Sequence, residues 1–111
     1  MNALSRLDVR RRAETPTPDL QQVLDVLDSS RHRALLETLG EGAFTAGELA
    51  ERLDIPRSTL YRYLRRLVEL GLVEESLRLS PTGHHRSEYT RGVTDVVVSL
   101  TGEDGFSITL V

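Results

Sequence analysis

Apolar residues in this chain recur first at helical spacing and then at strand spacing. Leu20, Val23, Leu24 and Leu27 fall at i, i+3, i+4 and i+7, which predicts an amphipathic helix. Thr17 is placed as its N-cap, Pro18 at its first position and Asp19 at the positive end of its dipole. Ser29 and Ser30 offer a cap for a second helix carrying Ala34, Leu35, Leu36 and Leu39, which Gly40 and Gly42 stop. In the stretch TAGELAERL, Thr45 and Glu48 have the spacing of a capping box, and Leu49, Ala50 and Leu53 point inward. A turn through Asp54-Ile55-Pro56 leads into a helix expected over 56–70. Its stripe is Leu60, Leu64, Leu67 and Val68, and Gly71 ends it in the left-handed conformation.

After Gly71 the period changes to alternation. Val73, Leu77 and Leu79 share one strand face, SPTGHHR reads as a polar turn, and Ser87 to Thr90 return as the partner strand. Val96, Val98 and Leu100 alternate, as do Phe106, Ile108 and Leu110, with Asp104-Gly105 as a hairpin turn between them. Four helices followed by two hairpins give an α+β fold. The short third helix, the tight turn and the longer fourth helix form a helix-turn-helix, and the hairpin after it is placed as a wing. The expected organisation is an arm over 1–16, a winged helix-turn-helix over 17–91, and a C-terminal hairpin over 92–111 that extends the same domain.

Charge sharpens this picture. The chain of 111 residues has a formal charge of −3, and all 14 of its basic residues are Arg. Residues 1–54 carry 7 Arg against 10 acids, residues 55–91 carry 7 Arg against 4 acids, and residues 92–111 carry 3 acids and no Arg. The middle segment alone is built to meet a polyanion. With Leu60, Leu64 and Leu67 buried, helical geometry turns Ser58, Tyr61, Arg62, Arg65 and Glu69 away from the core. Arg57, Ser58 and Thr59 occupy the first turn, from which a recognition helix reads base edges. Arg62 can pair bidentately with guanine, Ser58 and Thr59 can bond bases or phosphate, and Tyr61 can meet phosphate or sugar. Arg65 and Arg66 lie further along and are placed on the phosphate backbone. Arg86 at the wing can enter a narrow minor groove, and titration of His84 and His85 would make that contact pH-sensitive. The run Arg10-Arg11-Arg12 is read as a solvated tail, with a DNA-touching arm as the other reading.

The segment TAGELAERLDIPRSTLYRYLRRLVELGLVEE (45–75), with SSRHRALLETL before it and GHHRSEY after it, resembles the winged helix-turn-helix of ArsR-like transcriptional regulators. It looks most like the small regulators of halophilic archaea, over roughly residues 17–91. The resemblance implies a sequence-specific regulator of double-stranded DNA. Arg57, Ser58, Thr59, Tyr61 and Arg62 match the reading helix, Thr45 and Ala46 the helix start that meets backbone phosphate, and His84, His85 and Arg86 the wing tip. It also implies a homodimer. Two faces are candidates for the interface: the stripe Leu20, Val23, Leu24 and Leu27, and the terminal strand with Phe106, Ile108 and Leu110. The chain departs from metal-sensing members, because it has no Cys.

Other classes find less support. No phosphate-binding glycine loop or nucleophile elbow is present, and Glu74-Glu75 on a strand point to opposite faces, so no enzyme is expected. Adjacent His84 and His85 point apart in an extended turn, and His32 sits on another element, so neither metal nor cofactor is expected. The N-terminal stretch lacks the apolar centre of a secretory signal, no run is long enough to span a membrane, and a cytoplasmic location is expected. The remaining alternatives are a winged-helix adaptor that binds protein, and an architectural protein that binds DNA without sequence preference.

Overall fold

The computed structural model describes residues 19–102 and 105–111. The arm, Thr17, Pro18 and the Asp104 half of the hairpin turn lie outside the described residues. Element order is α1 (Leu20–Leu27), α2 (Ser30–Leu39), β1 (Phe44–Thr45), α3 (Ala46–Leu53), α4 (Arg57–Glu69), β2 (Val73–Arg78), β3 (Arg86–Arg91), β4 (Val96–Gly102) and β5 (Gly105–Leu110). The fold is α+β, with helices packed against antiparallel sheets as a winged helix-turn-helix requires.

Each helix starts where its local chemistry directs. Asp19, expected inside the first turn of α1, is instead its N-cap, accepting the Gln22 N–H at 3.0 Å. Ser29 caps α2. At α3 the capping box is complete: the Thr45 hydroxyl accepts the Glu48 N–H at 3.2 Å, and the Glu48 carboxylate accepts the Thr45 N–H at 2.8 Å. Helix α4 begins at Arg57, with Pro56 at the cap position rather than inside the helix. Its end is a Schellman motif. Gly71 takes a positive φ of 81°, its N–H reaches the Val68 carbonyl, and the Leu72 N–H reaches back to Leu67, each at 3.0 Å.

The core gathers the predicted stripes with one rotation. Leu35, Leu39, Leu49, Leu60, Leu64 and Leu67 are buried. On α1 the inward residues are Val23 and Val26, while Leu20 and Leu27 are half-buried and Leu24 is 41% exposed. The stripe expected through Leu24 is thus turned toward Val26. Val26 lies three residues after Val23, so the pair lies together on one face.

The three-stranded sheet has the order β1-β3-β2, all antiparallel. Strand β1, too short to leave a pattern in the sequence, pairs Phe44 with Tyr89 and Thr45 with Glu88. It ties the entry of α3 directly to the wing. In β2 the expected shared face holds only at its base: Val73 is buried, but Leu77 is 57% and Leu79 71% exposed, because the ribbon runs out past the helices that would cover it. The terminal hairpin pairs Val96 with Leu110 and Val98 with Ile108. It is fastened at its base by the Val111 N–H to the Asp95 carbonyl at 2.9 Å. Ile108 and Leu110 join the core, and a Leu110 methyl lies 3.3 Å from where a side chain on Gly71 would begin. Val23, Ile108 and Leu110, expected at a dimer interface, are therefore packed inside their own protomer.

Candidate nucleic-acid interface

Helices α3 and α4 are joined by three residues. Asp54 takes a left-handed conformation (φ 55°, ψ 49°), which Asp tolerates better than most residues, and Ile55 turns into the core with its N–H on the Ala50 carbonyl at 3.1 Å. Burying Ile55 holds the turn closed and sets the angle at which α4 leaves. Pro56 supplies no side-chain cap, so the first-turn N–H groups of α4 are left for solvent or an anion.

The starts of α3 and α4 and the end of the wing enclose a cleft of about 410 Å³, lined by Thr45, Ala46, Gly47, Arg57, Tyr61, His85, Arg86 and Ser87. Six of these eight were expected on sequence grounds to meet DNA. They come from three separate stretches, brought together by β1–β3 pairing and the helix turn. Thr45 and Ala46 are buried, so what they can present to a phosphate is backbone. Gly47 was not expected. The Arg57 guanidinium lies 2.6 Å from where a Gly47 side chain would begin, so this glycine makes room for it. Ser58, Arg62 and Arg65 are exposed on α4 outside the cleft, Thr59 is half-buried, and His84 is exposed at the turn.

Arg66, expected on the phosphate backbone, is the least exposed of the α4 arginines. It is half-buried, and its charge bears on His32 of α2. His32 is buried against the Tyr63 ring, 4.5 Å between centroids, and neither ring nitrogen has a hydrogen-bond partner among the described residues. Burial first, and the Arg66 charge second, hold its pKa below the usual histidine value.

The wing is oriented by charge. Arg78 donates to Glu88 at 2.7 Å and approaches Glu48 at 3.2 Å. Glu48 thus serves both the α3 cap and the wing. The Thr45 N–H first, and Arg78 next, hold its carboxyl below the usual glutamate range. Arg78 and Glu48 are exposed and Glu88 is half-buried, so the pairs fix geometry more than they stabilise the fold. Deeper in the sheet, the Tyr89 hydroxyl donates to Glu75 at 3.2 Å, and burial, then the Glu75 charge, push its pKa up to about 12.

The arginines divide into two sets. Arg52 and Arg78 are ion-paired to acids, while Arg33 and Arg91 donate to the carbonyls of Leu27 and Leu36. Arg31, Arg57, Arg62, Arg65, Arg66 and Arg86 have no ion pair among the described residues. Four of these six are on α4, which carries one acid, Glu69. Positive charge is left uncompensated where the cleft opens. No helix of the described residues is long and apolar enough to cross a membrane. No curated protein matches the chain. A family described as a helix-turn-helix domain matches residues 27–76, from the end of α1 into β2. The match and the geometry of α3, its turn and α4 agree on a helix-turn-helix fold for this region.

Proposed function

We propose that the protein is a sequence-specific transcriptional regulator of the ArsR-like kind, acting in the cytoplasm on double-stranded DNA and without enzymatic activity, metal or cofactor. Helix α4 enters the major groove and reads bases with Arg57, Ser58, Thr59, Tyr61 and Arg62. Arg65 holds phosphate, and the turn 80–86 touches the minor groove or backbone. The observation that carries this reading is the set of uncompensated arginines on α4, beside a cleft that joins both helix starts to the wing. An ordinary solvated helix face would not be joined to a wing in this way.

The protein acts as a homodimer in this reading, with two copies of α4 about 34 Å apart on a pseudo-palindrome. The interface falls on apolar groups that the protomer leaves uncovered: Leu24 of α1, and Val98, Leu100 and Phe106 of the terminal hairpin.

The test is a titration of fluorescent duplexes, one from the DNA upstream of the chain's own coding region and one scrambled, across a salt series. Wild type is expected to prefer the upstream duplex. Arg62→Ala should weaken that binding about tenfold and narrow the gap between the two duplexes, since one bidentate arginine–guanine pair contributes roughly 1–3 kcal/mol of discrimination. Equal, weak and salt-labile binding to both duplexes would make the protein architectural. No binding at any salt would give the arginine face to a protein partner.

A further inference from the structure

We infer that the wing grips DNA through apolar shape rather than charge, with Leu77 and Leu79 seated against the deoxyribose edges and walls of the groove beside the one that α4 enters. The inference rests on the DNA-binding reading above and adds a contact that the cationic residues do not supply.

Charge argues against a conventional basic wing. Residues 73–91 hold three Arg and three Glu, so the ribbon is neutral, whereas α4 holds four Arg and one Glu. Of the three wing arginines, Arg78 is held by Glu48 and Glu88, and Arg91 is turned back onto the Leu36 carbonyl. That leaves Arg86 for a phosphate. A ribbon with one available cation gains little from counterion release.

The face argues for the leucines. Leu77 stands directly opposite Ser87, and Ser87 lines the cleft. Opposite residues of an antiparallel pair share a face. Two steps along the same face, Tyr89 turns into the core and bears on Tyr61 of α4, so the base of this face packs toward α4. The leucine at the end of β2, and Leu79 just beyond it, are 57% and 71% exposed while Val73 at the base of the same strand is buried. Large apolar side chains left uncovered next to a cationic cleft are matched by a partner that is anionic at its edge and apolar in its groove wall. Duplex DNA has both properties, and minor-groove proteins pair Arg with apolar side chains for this reason.

The two kinds of contact are separable by salt. Apolar burial is insensitive to salt in the range that screens phosphates, whereas each lost phosphate contact lowers the slope of log affinity against log salt by about one. The experiment titrates the full chain against the same upstream duplex across the salt series as wild type, Leu77→Ser/Leu79→Ser, Leu79→Ser alone, Leu77→Met/Leu79→Met and Arg86→Ala. The double serine variant should bind about tenfold more weakly at every salt with the wild-type slope, because two partly exposed leucines lose their burial. The methionine pair should recover most of the affinity, and Arg86→Ala should flatten the slope. Thermal melting checks that the serine variants stay folded, and the most exposed position alone serves if the pair does not. Unchanged affinity in the serine variants, alongside a wild type that binds and an Arg62→Ala that does not bind as well, overturns this inference and leaves the regulator reading standing. A wild type that binds no duplex overturns both.

Discussion

Helix α4 and the terminal hairpin each present one apolar face, and the fold treats them differently. Leu60, Leu64 and Leu67 are sealed along the whole length of α4, because α2, α3 and the sheet flank it. The hairpin face is graded. Ile108 and Leu110 are in the core, Val98 is half out, and Leu100 and Phe106 are each 63% exposed. A two-stranded ribbon is stable only where something supports it, and α1 together with the end of α4 supports only its base. The comparison separates apolar residues that hold the protomer together from apolar residues that the protomer leaves exposed. Alternation in the sequence shows both as one pattern.

Mutations should pull the two faces apart. The largest effect is expected from Leu64→Ala, where a fully enclosed side chain leaves a cavity: about 3 kcal/mol of stability lost in urea unfolding, at any protein concentration. The matching change on the other face, Leu100→Ser with Phe106→Ser, should cost the protomer under about 0.5 kcal/mol. It should raise the dimer dissociation constant roughly thirtyfold in sedimentation, because each variant surface appears twice across a two-fold axis. If the hairpin variant unfolds as readily as Leu64→Ala, the distinction between the faces fails. Next in size is Thr45→Ala, which removes the cap of α3 and loosens the wing through Glu48: about 1 kcal/mol in the same unfolding experiment.

The smallest effect is a pH dependence. The folded pKa of His32 lies below its unfolded value near 6.5, so between the two the unfolded chain binds more protons. Stability is therefore full above 6.5 and is lost as pH falls through that window. The Glu48 contribution is lost only as pH falls further, below its ordinary 4.5, so the two windows separate. Stability measured between pH 7 and 5.5 should fall in wild type and stay level in His32→Leu. That variant should cost nothing at pH 7, since neither ring nitrogen has a partner to lose among the described residues.

Local signals carried most of the architecture. Capping at Ser29 and Thr45, the Gly71 stop, the α4 stripe and the change from helical to alternating period all depend on residues close in sequence. A cap or a left-handed glycine acts within one turn of the chain, which is why such features are legible without a structure. The arginine concentration on α4 was equally plain, since helical geometry alone assigns its faces. The signals that misled were those that look local and are not. Leu24 has the right spacing for the core, yet Val26 takes the inward place because α1 rolls to meet its neighbours. Arg66 has the right charge for phosphate, yet it is half-buried and its charge bears on His32.

What had to wait for the assembled chain were the meetings between distant segments: two-residue β1 on β3, Arg78 bridging Glu48 and Glu88, Gly47 yielding space to Arg57, and the closing of Thr45, Arg57 and Arg86 around one cleft. The residues alone settle which faces are apolar, where helices begin and end, and where positive charge accumulates, because those properties follow from spacing and side-chain chemistry. How far each apolar face is covered depends on the length and position of whatever packs beside it. That is why identical alternation yields a buried Ile108, an exposed Phe106 and a bare Leu79.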